Sequence, residues 1–378
     1  MLSDILKDYL RERKQEGLSR QRQLKEKNCH LNFSSNDYLS LTTEPLIKEA
    51  FQKGFASCPS GSGGSMVICG YDAIHRELEQ SFAEALSVDD ALLFSSGYAA
   101  NLGVISLLAH FKAHLFIDKG AHASFYDGIK LTNASFTRYL HHNLEHLTEK
   151  LKNALVSAPI IVTESIFSMS GQASDLKKIN ELSLKFNATC IIDEAHAFGV
   201  IGPEGLGAVP HYQLTQQQVP LRIIPLGKAF GFQGAIVAGC KDWIEALLQL
   251  SRSHIYSTAV SPALAYGMLE TLAFIRQAGE RRQKIQQLIH YFQERAQQSA
   301  LSWRRSETPI QPLQLGCPHK ALALSSYLRE NGIFCQAVRT PTVNKHETGL
   351  RVILNYCHNY DHIDLLFSLL ESGVKQVS

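Results

Sequence analysis

Hydrophobic and polar positions fall into two alternating textures through the middle of the chain. Short runs that are apolar or β-branched occur at ALLFSSG (91–97), HLFIDKG (114–120), PIIVTES (159–165), TCIIDEAH (189–196) and LRIIPLG (221–227). Between several of them lie helical patterns, such as LKKINELSLKFN (176–187), in which Leu176, Ile179, Leu182 and Leu184 mark the apolar side. Strands that are apolar throughout and separated by helices predict a parallel sheet covered on both faces. Each run ends in polar or glycine-bearing residues, and such sheets bind ligands beyond the carboxyl ends of their strands. The chemistry is therefore expected at that edge.

The texture changes near residue 265. A long helical stretch, AYGMLETLAFIRQAGERRQKIQQLIHYFQERAQQ, leads to a segment with Trp303, Pro309 and Pro312. KALALSSYLRENG, FCQAVRTPTV and LRVILNY then read as helix, strand and strand. At the other end, Leu2, Ile5, Leu6, Tyr9 and Leu10 recur at helical spacing, predicting an amphipathic helix that packs on the body of the protein. The expected organisation is a helix and segment at 1–45 packing with the small domain, a large ligand-binding domain at 46–265, and a smaller α+β domain at 266–378.

Composition narrows the function classes. A formal net charge of +2 gives no reason to expect nucleic acid or an anionic membrane as partner. No stretch approaches the ~18 apolar residues of a membrane span, and the N-terminus lacks the apolar core of a signal peptide. The eight cysteines (29, 58, 69, 190, 240, 317, 335 and 357) form no Cys-x-x-Cys pair, which points to unpaired thiols in a reducing cytoplasm.

Lys228, in IIPLGKAFGFQGA, follows a strand and stands among glycines that let the backbone and a flat ligand approach closely. A lone lysine after a strand is ordinarily a surface residue. Asp193 ends the strand TCIIDEAH, where a carboxylate is costly unless it meets a cation; a helix cap or ion pair would serve equally. Ser-Ser-Gly-Tyr-Ala-Ala-Asn (95–101) leaves a strand and opens a helix, presenting backbone N–H groups suited to a phosphate. Gly61–Gly64 is a second glycine-rich segment, without the preceding strand of a dinucleotide site. Lysine, carboxylate and phosphate cradle together suit pyridoxal 5'-phosphate (PLP), whose aldehyde forms a Schiff base with a lysine and whose ring nitrogen needs an anion.

The set LNFSSNDYLSL (31–41), GSGGS…GYDAIHRELE (61–79), FSSGYAAN (94–101), GAHAS (120–124), TESIFSMSG (163–171), IIDEAHAFGVIGPEGLG (191–207), GKAFG (227–231) and IYSTAVSP (255–262) resembles the α-oxoamine synthases. The resemblance spans residues 5–370 in the family's order. It implies an α/β, fold-type-I PLP-dependent transferase of the aspartate-aminotransferase-like kind, with a large mostly parallel sheet domain and a smaller α+β domain. It implies that Lys228 carries the cofactor, Asp193 binds its ring nitrogen and His122 stacks on its ring. Ser168 and His196 would contact the ring hydroxyl region, and Ser96, Gly97 and Tyr98 would cradle the phosphate. Thr258 would reach that phosphate from the partner subunit of a homodimer. Arg339 would hold the substrate carboxylate bidentately, with Asn36 and Arg20 as further substrate contacts.

The implied activity is decarboxylative condensation of an amino acid with an acyl thioester carried on coenzyme A or an acyl carrier protein. IYSTA and VRTPTV lean toward the biotin-pathway branch, which uses L-alanine and a pimeloyl thioester; glycine-using branches are the alternative. Three positions depart from the family pattern: Pro225 replaces a hydroxyl residue three before the lysine, Met66 a basic residue, and Phe198 a smaller one. Two other classes compete weakly. Asp-Glu-Ala-His suggests a helicase, but no phosphate-binding Gly-x-x-x-x-Gly-Lys-[Ser/Thr] loop precedes it. His141, His142 and His146 suggest a metal hydrolase, although the glutamate usually beside the first histidine is absent.

Overall fold

The computed structural model describes residues 2–22, 24 and 31–377. They form two compact units, one of residues 37–168 and 173–282, the other of the described residues within 1–36, 169–172 and 283–378.

The larger unit is built on a seven-stranded sheet. Its strands in chain order are β1 (Asp90–Phe94), β2 (His114–Asp118), β3 (Phe136–Tyr139), β4 (Pro159–Glu164), β5 (Thr189–Asp193), β6 (Leu221–Pro225) and β7 (Ala235–Gly239). The spatial order is β1-β7-β6-β5-β4-β2-β3. The five apolar runs form strands, and β2, β3, β4, β5 and β6 are mutually parallel. The sheet is nevertheless mixed, because β7 runs antiparallel to both β1 and β6. Helices Gly97–His110 and Ala123–Thr132 follow β1 and β2. They pack Val104, Ile105, Leu108 and Ile129 over Leu115, Ile117, Val162, Ile191 and Ile223, all buried. Each such side chain contributes about 1.5–3 kcal/mol through removal from water.

The smaller unit holds an antiparallel sheet of Ala337–Val338, Gly349–Ile353 and Ile310–Gln314 in that order. A two-residue parallel pair joins Leu31–Asn32 to Ile333–Phe334. Helices Pro318–Glu330 and Tyr360–Val377 accompany these strands, and Phe292, Trp303 and Phe367 pack ring to ring, with centroids 5.0 to 5.5 Å apart.

Three expectations need correction. The boundary at 265/266 falls inside the helix Pro262–Gln277, whose buried Ala265, Met268, Leu272 and Ile275 belong to the large unit; the division comes after Arg282. Residues 37–45 also join the large unit, where Arg281 donates to the carbonyl of Leu39 (2.7 Å) and pairs with Glu44. The N-terminal helix Leu2–Gln15 forms, but no residue in it is buried. Leu2, Ile5, Leu6, Tyr9 and Leu10 stay 53–72% exposed. No helix among the described residues is long and apolar enough to cross a membrane. The seven described cysteines form no disulfide, and Cys29 lies outside the described residues.

Candidate active site

At the carboxyl ends of β4, β5 and β6 lies a cavity of about 270 Å³. The sequence-predicted residues Ser96, Gly97, Tyr98, His122, Asp193, His196 and Lys228 all line it, together with Asn101, Glu164 and Pro225. Three larger clefts, about 370, 500 and 640 Å³, contain neither Lys228 nor Asp193. Size alone does not mark the site; converging polar groups do.

Lys228 sits in the connection between β6 and β7. That connection closes on itself, with Leu226 N–H donating to Gly234 O (3.0 Å), Phe232 N–H to Leu226 O (3.0 Å) and Gly231 N–H to Lys228 O (2.8 Å). Gly231 (φ 75°) and Gly234 (φ 99°) take backbone conformations that a side chain would strain. The lysine is thus held by a rigid turn.

Asp193, at the end of β5, is buried, and both its oxygens accept hydrogen bonds. Oδ1 accepts from Ala195 N–H (2.9 Å) and Oδ2 from the Asn101 side-chain amide (3.1 Å). Burial pushes its pKa up, while Lys228, Asn101, the Ala195 amide and His122 oppose that rise. A buried carboxylate this well supplied with donors is built to meet a cation.

His122 caps the helix Ala123–Thr132, with Nδ1 2.8 Å from Ser124 Oγ. Burial depresses its pKa more than nearby Asp193 raises it, which favours the neutral ring. Its backbone N–H donates to Glu164 Oε1 at 2.6 Å. Glu164 is itself buried, and its pKa is raised well above the ordinary value by that burial and by Asp193. His196 follows Asp193 by one turn and places Nδ1 2.6 Å from the Tyr38 hydroxyl.

Ser96 caps the helix Gly97–His110 by accepting from Ala99 N–H (3.1 Å). The first-turn N–H groups of such a helix lack intrahelical acceptors and suit an anion. A Cβ on Gly97 would lie 2.7 Å from Pro225 Cγ, so the cradle accepts only glycine there. Tyr98 is half exposed and donates its hydroxyl to Asp127 Oδ2 (2.5 Å).

Five other expected residues lie outside this cavity. Ser168 follows β4 without lining it, and Thr258 is exposed in the loop after Arg252–Ile255. Arg20, Asn36 and Arg339 belong to the smaller unit. There Arg339 donates to the backbone carbonyls of Gly17 and Ser19 (the latter at 3.2 Å), and Asn36 Oδ1 accepts from Arg351 (3.0 Å). Burial and the neighbouring Arg20 and Arg13 lower the Arg339 pKa, which marks a cationic cluster.

The three histidines behind the metal-hydrolase alternative have separate partners. His141 Nδ1 meets Asp118 (2.7 Å), His142 Nε2 meets Ala173 O (2.8 Å), and His146 Nδ1 accepts from Leu140 N–H (3.0 Å). Among the described residues no group of three or more His, Cys, Asp or Glu is arranged to hold a metal ion.

Sequence reasoning passed over Asn101, Glu164 and Tyr38. Asn101 had a readable signal, since it lies one turn inside the helix that the phosphate cradle opens. Glu164 was also legible as the last residue of a strand neighbouring Asp193. Tyr38 had no local signal.

The arrangement fits PLP on its own chemistry. It offers an amine on a rigid turn, a buried carboxylate prepared for a cation, a neutral imidazole and a helix N-terminus whose glycine position admits no Cβ. Comparison with known proteins agrees. The family model for class I and II aminotransferases matches residues 29–364. The 8-amino-7-oxononanoate synthase of Pseudomonas putida is 40% identical over 347 residues, covering 92% of this chain and 89% of that protein. The enzyme of the same name from Acidithiobacillus ferrooxidans is 40% identical, covering 90% and 87%. The crystal structure of the Francisella tularensis 8-amino-7-oxononanoate synthase superimposes with a TM-score of 0.80 at 32% identity, covering 92% of this chain and 98% of that one. Serine palmitoyltransferase of Sphingomonas wittichii shares the fold, with a TM-score of 0.87 at 24% identity and coverage of 92% and 87%.

Proposed function

The chain belongs to the class I and II aminotransferase family and, within it, to the 8-amino-7-oxononanoate synthases; from that membership we propose that it condenses L-alanine with a pimeloyl thioester. The products are 8-amino-7-oxononanoate, carbon dioxide and the free thiol, and the reaction is a step of biotin biosynthesis. The enzyme is a fold-type-I, PLP-dependent acyltransferase. In this reading it acts in the cytoplasm as a homodimer, with coenzyme A or an acyl carrier protein bearing the acyl group.

PLP supplies an aldehyde that takes up an amine and a ring that accepts the electrons released at the substrate Cα. Lys228 would hold the cofactor through Nζ and, as a free amine, would accept the proton from the substrate Cα. Asp193 keeps negative charge beside the ring nitrogen, so that the nitrogen stays protonated. Neutral His122 covers the ring without adding a competing cation. Ser168 and His196 bind at the ring hydroxyl. Ser96, Gly97 and Tyr98 receive the phosphate, with Thr258 contributed by the partner subunit. Arg339, with Arg20 and Asn36, holds the substrate carboxylate.

The observation that carries this reading is the convergence of Lys228, buried Asp193 and His122 on one cavity. The test is incubation of the purified protein with PLP, L-alanine and pimeloyl-CoA, followed by mass spectrometry. Formation of 8-amino-7-oxononanoate with one carbon dioxide per turnover is expected. Turnover with glycine and a short acyl-CoA, but not with L-alanine, would move the chain to a glycine-using function.

A further inference from the structure

The loop that carries Tyr38 is fixed from within. The Asp37 carboxylate accepts from Leu41 N–H (2.8 Å), Thr42 N–H (3.0 Å) and the Thr42 hydroxyl (2.6 Å), and Ser40 takes a left-handed backbone conformation at φ 56°. This holds Tyr38 fully buried, with its hydroxyl 2.6 Å from Nδ1 of His196. The His196 ring is itself 97% removed from solvent and lines the cavity shared with Lys228, Asp193 and Glu164.

We propose that Tyr38 is a positioning residue, whose hydroxyl donates to Nδ1 of His196 and thereby keeps a proton on Nε2 for donation to the oxygen substituent of the cofactor ring. This rests on the reading of the cavity as a PLP site. Two geometric facts support it. A neutral imidazole has one donor and one acceptor nitrogen, so a phenol donating to Nδ1 leaves Nε2 as the donor. The opposite tautomer would turn a lone pair toward a cavity whose other walls already carry the carboxyl groups of Asp193 and Glu164. A rigid loop holding a buried phenol at this distance also fixes the ring plane, as outer partners of functional histidines do.

The test compares wild type, Tyr38→Phe, His196→Asn and the double variant, each loaded with PLP. The readouts are the pH titration of the cofactor absorbance band and the equilibrium dissociation constant for PLP. Loss of a donor to the ring oxygen destabilises the more anionic form of the cofactor. Tyr38→Phe is therefore expected to move the titration midpoint upward by about 0.5–1 pH unit, the size of one neutral hydrogen bond. It should also weaken PLP binding several-fold. In the His196→Asn background the same change should add nothing. An unshifted midpoint in Tyr38→Phe, or an equal shift in both backgrounds, overturns the proposal. Lower thermal stability with an unchanged titration makes Tyr38 a packing residue only. If Tyr38→Phe does not fold, ¹⁵N NMR of the histidines in cofactor-free wild type decides the matter. A protonated Nε2 with an acceptor Nδ1 on His196 supports the proposal, and a protonated Nδ1 overturns it. Wild type that forms no cofactor band is a separate outcome, which removes the PLP reading itself.

Discussion

Glu164 and Asp193 end neighbouring parallel strands in direct register, so two buried carboxyl groups stand side by side at the edge of the cofactor cavity. Two like charges in such a place do not both ionise. Lys228 acts on both, but Asp193 also has the Asn101 and Ala195 donors, whereas Glu164 has one backbone N–H and the repulsion of Asp193. Of the two, Glu164 is therefore the carboxyl driven further toward the protonated form.

Glu164→Gln, which keeps the shape and neutrality of the protonated acid, should bind PLP within about threefold of wild type. Glu164→Ala leaves the His122 N–H without its acceptor and should cost about 1–3 kcal/mol of stability. Denaturant unfolding of both variants checks this, and equal losses would sink the assignment of the proton.

Lys228→Ala should lower turnover to background while leaving the fold intact, as followed by product formation and circular dichroism. Asp193→Asn should still bind cofactor but slow turnover by about 100-fold or more, because the charge beside the ring nitrogen is gone. Near-normal rates in Asp193→Asn would remove that role.

The strand pattern shows why much of this was legible and some was not. Ile161, Val162, Ile191, Ile192 and Ile223 are buried on both faces of the sheet, so their strands appear as unbroken apolar runs. The edge strand Phe136–Tyr139 leaves Phe136 and Arg138 exposed and gives no such run. Ala235–Gly239 is apolar but short and lies behind a glycine-rich turn, and nothing local declares its antiparallel direction. The gathering of Lys228, Asp193, His122 and His196 at one cavity was readable because each stands at or just past a strand end. Tyr38 was not, because its contact with His196 joins residues 158 positions apart. The exposed stripe of the N-terminal helix shows the limit of periodicity, which predicts an apolar face without saying what covers it.

Gly97→Ala should disturb the phosphate cradle, since the new Cβ meets the stiff ring of Pro225. Overpacking of this kind costs about 1–3 kcal/mol, so PLP affinity should fall by roughly tenfold in equilibrium dialysis. Pro225→Ala in the same chain should restore most of the loss. Failure of that rescue would show that the ring is not what excludes the side chain.

Glu79 supplies a pH test remote from the reaction. Buried behind β1, it accepts from the Tyr71 hydroxyl (2.6 Å) and Leu93 N–H (2.8 Å), and burial lifts its pKa to about 7. The raised value means that the native state binds the proton more tightly than the unfolded chain. The corresponding stability is complete below about pH 4.5 and is lost as pH rises to about 7, by about 3 kcal/mol. Glu79→Gln should flatten that part of the stability curve relative to wild type. Superimposable curves would contradict the shift.

The antiparallel strand β7 has a consequence for how the chain assembles. Asp90 pairs with Gly239 and Phe94 with Ala235, so the partner of β1 lies more than a hundred residues downstream. Loop closure over such a span is slow and comes late in folding. On a ribosome adding about 5–20 residues per second, β1 waits about 7–30 s for its neighbour to be synthesised. The helix that opens at Gly97 and the turn that carries Lys228 flank this one late pairing. A nascent chain therefore has no place for its cofactor until the sheet has closed.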